Sequence, residues 1–130
     1  MIILDTCALI YDALHPEKLS KKARSAIQQA EEQSCVSCCD ISLWEIAMLI
    51  QKNRLNPSID THSFLTLMLS ARSIRVLEIN ISIAALSTQA LFKHHDPADR
   101  LIASTALHYH APLITCDRQL SAIPDLDIIW

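Results

Sequence analysis

The chain predicts an α/β fold in which a central parallel sheet of four to five strands is covered by helices on both faces. Three observations carry this. Short strand-like runs alternate with helix-like segments from Ile2 to Trp130, the order expected of repeated β-α-β units. Several strand candidates are almost wholly apolar, as strands buried on both faces are. The apolar fraction of 51% supplies a core for 130 residues, and a charged fraction of 19% excludes a disordered chain. This length predicts one domain, 1–130.

Met1-Ile2-Ile3-Leu4 reads as the first strand, and Asp5 ends it where a helix begins. Residues 6–14 suit a short helix stopped near Pro16. Ser20 is an N-cap for a second helix over 21–32, with Leu19, Ala23, Ile27 and Ala30 inward. Lys18, Lys21, Lys22 and Arg24 form a local basic group there, open to two readings: a solvated helix face, or a phosphate or partner contact. Residues 35–38 read as a second strand. Its Cys35 and Cys38 stand three apart, and a strand sends such positions to opposite faces, so they read as small core residues rather than a zinc or redox pair.

Ser42 to Ile50 is helical by the spacing of Leu43, Ile46, Ala47 and Ile50. Ser42 with Glu45 fits a capping box, a purely structural role for Glu45. Asn53 stands where a glycine would close the helix. Asp60 caps a helix through Ile74, with Phe64, Leu65, Leu67, Met68 and Ala71 as its stripe. Residues 75–79 suit a third strand, and Asn80 caps a helix rich in Ile81, Ala84, Ala85 and Leu86. After the polar Lys93-His94-His95, Asp96 is an N-cap, Pro97 the first helical residue and Asp99 the third, in a helix to about Tyr109. Pro112 to Thr115 is a fourth strand ending at Cys116-Asp117, and residues 127–130 a last edge strand.

A net charge of −3 and a pI near 6.0 give no global attraction to nucleic acid or anionic membrane, so such binding needs a local patch or a metal. With no glycine, phosphate loops of the Walker and Rossmann kinds are excluded. Five irregularly spaced cysteines argue against a disulfide framework. Without a basic region before the first apolar run, and without an apolar window of ~20 residues, the expectation is a cytoplasmic protein with no membrane contact.

Four carboxylates occupy equivalent places. Asp5 and Asp117 follow apolar strands, and Glu45 and Asp99 lie in first turns of amphipathic helices. In a parallel sheet with right-handed crossovers these places share one edge. Each has a separate structural explanation, and a hard divalent cation explains all four. Mg²⁺ and Mn²⁺ favour oxygen ligands, and such an ion acidifies a water and neutralises phosphate charge.

The blocks 3–9 (Ile-Leu-Asp-Thr-Cys-Ala-Leu), 42–47 (Ser-Leu-Trp-Glu-Ile-Ala), 95–103 (His-Asp-Pro-Ala-Asp-Arg-Leu-Ile-Ala) and 113–117 (Leu-Ile-Thr-Cys-Asp) resemble those of a PIN domain, and most of all VapC-type toxin ribonucleases of toxin–antitoxin pairs. The resemblance covers the whole chain in the family's order. It implies a PIN-like three-layer α/β/α fold and an endoribonuclease dependent on Mg²⁺ or Mn²⁺ that leaves 5′-phosphate and 3′-hydroxyl ends. It implies that Asp5, Glu45, Asp99 and Asp117 form the catalytic site. Asp5 and Asp99 would hold the ion, and Asp117 a second ion or the first through water. Glu45 would orient or deprotonate the water, and Asp96 would be a cap and outer ligand. Thr115 and Thr6 resemble the family's hydroxyls that hydrogen-bond these acids. It also implies a small VapB-like antitoxin whose apolar segment covers a groove near the acids, and a homodimer. Arg100 and Arg118 are candidate phosphate contacts, with pairing to a neighbouring acid the alternative for each. His94 and His95 are exposed loop imidazoles or RNA contacts. Lys52 and Arg54, or the basic group at 18–24, would offer RNA a surface. The chain departs from the family where glycine is frequent, at Asn53 and at His110-Ala111.

Two rivals stand beside this reading. One is a PIN-like module that binds RNA or protein without cutting. The other is a phosphohydrolase with a nucleophilic aspartate, which wants a second acid two residues after Asp5, where Cys7 stands. A cysteine nucleophile is disfavoured, because neighbouring acids hold the Cys7 and Cys116 thiols protonated.

Overall fold

A computed structural model describes residues 1–92 and 95–130; Lys93 and His94, and the expectation of an RNA contact at His94, lie outside them. Five strands form one parallel sheet in the order β3-β2-β1-β4-β5: β1 (Ile2–Leu4), β2 (Val36–Cys39), β3 (Arg75–Leu77), β4 (Leu113–Ile114) and β5 (Ile128–Ile129). Ile3 of β1 pairs with Ser37 on one side and Leu113 on the other, so the first strand is central. The expected last strand is an edge strand, beside β4.

The period-2 alternation of strands divides the core in two. Ile2, Leu4, Val36, Cys38 and Ile114 face one layer, with Ala8, Leu9, Ala23, Ile27, Ile46, Phe64 and Met68 from the helices α1 (Thr6–Leu14), α2 (Lys21–Glu32), α3 (Asp40–Gln51) and α4 (Thr61–Ala71). Ile3, Cys39, Leu77 and Leu113 face the other, under Leu86 of α5 (Ile81–Ser87) and Ile102, Ala103 and Ala106 of α6 (Pro97–His108). This is the three-layer arrangement expected from the sequence, and strands buried on both faces explain why β1, β2 and β4 read as apolar runs. Among the described residues no helix is long and apolar enough to cross a membrane.

Five helices start on side-chain caps, four of them expected and the fifth, Asp5, read only as the residue that ends the first strand. Asp5, Ser20, Asp60, Asn80 and Asp96 each accept from the backbone N–H three residues on. Helix ends follow a different rule, because no glycine is available. Four helices close through left-handed residues: Ser34 (φ 55°), Asn53 (φ 56°), Ser73 (φ 50°) and His110 (φ 50°). At each, the next residue's N–H returns to a carbonyl one turn back: Cys35 to Ala30, Arg54 to Leu49, Ile74 to Leu69 and Ala111 to Ala106. This is the Schellman closure, held without its usual residue. Asn53 fulfils the expectation; at the second departure His110, not Ala111, takes the strained conformation, and Ala111 enters the core.

Three boundaries differ from the sequence reading by two residues or more, and β2 is Val36–Cys39 rather than 35–38. Helix α3 begins at Asp40 with Cys39 as N-cap and no side-chain cap bond, so Ser42 and Glu45 form no capping box. Helix α4 stops at Ala71, where Ser73 turns the chain into β3, rather than running to Ile74. Strand β3 ends at Leu77, because the Ile79 N–H leaves the ladder to bond the Asp40 carboxylate at 3.1 Å. Helix α5 also turns differently: Ile83 is buried, while Ile81 is 89% exposed and Ala84 and Ala85 face outward.

Candidate active site

Asp5 leaves the end of the central strand and is only 8% exposed. Its carboxylate accepts the Ala8 N–H at 2.7 Å, capping α1, and a hydrogen bond from Thr115. The Thr115 hydroxyl also accepts the Asp117 N–H at 3.0 Å. One threonine thus ties the acids that follow β1 and β4. Asp117 is half-buried and caps the short turn 118–122 through the Gln119 N–H at 2.9 Å.

Glu45 lies in the second turn of α3, one turn further in than the sequence suggested. The Thr6 hydroxyl donates to its Oε1 at 2.5 Å and stands 3.0 Å from Ser42 Oγ. Ser42, read as a cap, is instead fully buried against Thr6. Asp99 is half-buried at the third position of α6, and its N–H is capped by Asp96 at 2.9 Å. Thr6 and Thr115 therefore contact acids as the resemblance implied, and Asp96 is an N-cap.

The electrostatics show that these side chains sense one another. Burial pushes the Asp5 carboxyl up to about 6, and the charges of Glu45 and Asp117 push the same way. Burial pushes Asp99 up to about 7, with Asp96, Glu45 and Asp117 adding to it. Glu45 is raised by burial, against its bond from Thr6, and further by Asp96. Desolvation and like charge both disfavour the ionised forms. All the donors are carboxylate and hydroxyl oxygens, the set a hard divalent cation takes, and such an ion would offset the repulsion that adds to burial in raising them. Among the described residues, no three His, Cys, Asp or Glu side chains already form a group that could hold an ion; the acids are close neighbours, not a finished cage.

The other candidates fall less uniformly. Arg100 Nε donates to the His95 carbonyl at 2.7 Å, which anchors its guanidinium beside Asp99 in sequence. Arg118 is exposed and helps line a depression of about 280 Å³ with Thr115 and Asp117. In the basic group, Arg24 bonds the Pro16 carbonyl and the Lys18 ammonium lies 5.4 Å from the Tyr11 ring centroid, so both are engaged locally. The Cys7 thiol is pushed up to about 11, mostly by burial with Cys116 and Asp5 contributing, which keeps it protonated. Its Sγ lies 3.9 Å from Cys116 Sγ, a proximity across 109 positions that no local pattern signals.

A family model for the PIN domain matches residues 2–126. The chain is 32% identical over 120 residues to a Mycobacterium tuberculosis protein described as Ribonuclease VapC22, covering 92% of this chain and 88% of that one. Its fold matches a chain of the VapBC2 complex of Rickettsia felis bound to a DNA fragment from its promoter, with a TM-score of 0.77, 18% identity and 98% and 97% of the two chains covered. It also matches a chain of a toxin–antitoxin complex from Klebsiella pneumoniae, with a TM-score of 0.63, 19% identity and 97% and 95% covered.

Proposed function

Because the chain belongs to the PIN domain family, we propose that it is a divalent-metal-dependent endoribonuclease and the toxin of a toxin–antitoxin pair. The observation that carries this is the meeting of Asp5, Glu45, Asp99 and Asp117 at one sheet edge, where burial and mutual charge raise the pKa of Asp5, Glu45 and Asp99. The 32% identical relative, a ribonuclease by its description, supports the same chemistry.

In this reading Asp5, Asp99 and Asp117 hold Mg²⁺ or Mn²⁺, with Glu45 and Asp96 outside them. When bound, the ion would neutralise charge on the phosphate and lower the pKa of a water so that its deprotonated form could serve as nucleophile. Thr115 fixes Asp5 and Asp117 relative to each other, and Thr6 aims Glu45 to orient that water or take its proton. Arg100 and Arg118 flank the acids and meet substrate phosphate.

The partner is a small antitoxin. An apolar groove of about 500 Å³ runs between the end of α1 and α4, with Leu14, Ile59, Phe64 and Leu67 in its wall. It opens at the far end of α1 from Asp5, about 10 Å along the helix, so an apolar segment seated there needs an extension to reach the acids. A homodimer is part of the same proposal.

Incubation with total RNA, with and without Mn²⁺, tests the whole reading. Metal-dependent cleavage by the wild type, absent in Asp5→Asn, supports it. Unchanged cleavage in that variant, or RNA binding with no cleavage at any metal concentration, refutes it, and the second result favours the binding module.

A further inference from the structure

Taking the nuclease reading above as its basis, we propose that Trp44 is the platform on which an unpaired RNA base stacks beside the acids, with Lys52 and Arg54 holding the adjoining phosphates. Trp44 is 57% exposed, although a tryptophan on an amphipathic helix is expected to pack inward. It precedes Glu45 on α3, so ring and carboxylate sit about 100° apart around the helix, one residue rise apart. Trp44, Glu45, Met48, Leu49, Lys52 and Arg54 line a single depression of about 240 Å³. Positions 44 and 48 lie on one ridge of α3, and Lys52, its C-cap, continues the same i+4 spacing. Arg54 reaches the depression because Asn53, at φ 56°, folds the chain back, bonding the Arg54 N–H to the Leu49 carbonyl at 2.9 Å.

The occupant follows from the mixture of groups. An apolar protein segment would leave two cations facing an apolar surface, whereas a nucleotide strand brings a π-face for the indole and phosphates for the cations. Lys52 and Arg54 are exposed and share the depression's lining with Glu45, the residue that joins it to the acidic edge. In a chain of net charge −3 this is a local patch of the kind RNA binding needs. The base must be unstacked to reach the indole, which makes single-stranded or looped RNA the substrate class. Stacking is tolerant of base identity, so Trp44 positions the strand rather than reading sequence.

The chain has two tryptophans, so Trp130→Phe leaves Trp44 as the sole indole reporter. A single-stranded RNA oligonucleotide should quench its emission, and the same oligonucleotide with abasic sites should not. In steady-state cleavage Trp44→Ala should raise KM about tenfold with kcat nearly unchanged, and Trp44→Tyr should recover most of the loss. The double variant Lys52→Ala/Arg54→Ala should reduce the slope of log Kd against log salt by about 1.4, two single-strand phosphates. Unquenched Trp44 with an unaltered KM in Trp44→Ala, while the wild type still cuts RNA, overturns the stacking role and leaves the nuclease reading standing. Emission that changes with protein concentration alone, or only on adding an antitoxin peptide, assigns the surface to a protein partner and overturns it too. Quenching by RNA with no cleavage by the wild type sinks the nuclease reading and keeps the platform.

Discussion

The two edges of the sheet treat buried acids in opposite ways. At the edge where helices end and lead back into strands, Arg72 joins two acids from different helices. Its Nε and Nη2 bond the Asp12 carboxylate at 2.7 and 2.8 Å, and its Nη1 bonds Glu31 at 2.5 Å. The two carboxylates raise the arginine's pKa, the sign of a matched ionic group. At the edge where strands end, Asp5, Glu45 and Asp99 are raised by burial and by the charges of neighbouring acids, Asp96 and Asp117 among them. Where the chain supplies the cation, the acids hold helices together. Where it concentrates carboxylates instead, the arrangement is a charge deficit, one that the proposed metal ion would correct.

Neutralising an acid separates the two edges most sharply. Asp99→Asn should reduce cleavage on the order of 10³-fold while the metal-free protein becomes more stable at pH 8, because a repulsive charge is gone. Activity and urea denaturation measured on the same preparation check both halves. A variant that lost stability along with activity would place Asp99 in the same structural class as Asp12. Arg72→Ala should do the reverse. It strands the nearly buried Asp12 and should cost about 2 kcal/mol, between the values for exposed and buried pairs, with kcat within about twofold of wild type. Loss of cleavage at unchanged stability would show that the clamp reaches the acids.

Much of the acidic edge is legible in the sequence because its signals are local. Asp5 ends an apolar run, and Asp96-Pro97 announces a helix whose third residue is Asp99. What is not legible depends on contacts far along the chain. The spacing Ser42 to Glu45 imitates a capping box, yet α3 starts at Asp40; the family resemblance names Thr6, but no local spacing says that its partner is Glu45, 39 residues later. Trp44, Leu67 and Ile81 carry apolar side chains outward; periodicity gives a helix its inner face but not what its outer face meets. The chain's lack of glycine was legible, and so was its consequence at Asn53. That serine and histidine would take the same conformation was not, since neither signals it.

The pH dependence of stability sharpens the electrostatic half of the contrast. Asp5 and Asp99 bind a proton more tightly folded than unfolded, with folded values of about 6 and about 7. Between their ordinary range near 4 and those values the folded chain holds more protons, so stability falls as pH rises. The metal-free protein should therefore melt a few degrees higher at pH 5 than at pH 8. Mn²⁺ should restore the difference at pH 8 and do little at pH 5, where protons occupy the carboxylates. A melting temperature that is flat with pH, or that rises equally with Mn²⁺ at both values, would mean that these acids do not share one deficit.

The smallest effect belongs to the edge of helix ends. Ser34, Ser73 and His110 sit at φ 55°, 50° and 50° at the turns leading into β2, β3 and β4. A Cβ in the left-handed region costs roughly 1–2 kcal/mol, offset in part by the greater freedom glycine has when unfolded. Ser34→Gly, Ser73→Gly and His110→Gly should each stabilise by about 0.5 kcal/mol and add nearly independently, as separate turns do. All three residues are exposed, so little packing is lost. Asn53→Gly should gain less, because Asn tolerates this conformation better than other residues with a Cβ. Urea midpoints of the single and triple variants measure this, and cleavage should stay at the wild-type rate. Destabilisation at Ser73 alone would show that its turn matters for holding the neighbouring Arg72 against Asp12 and Glu31, tying backbone strain to the ionic clamp at the same edge.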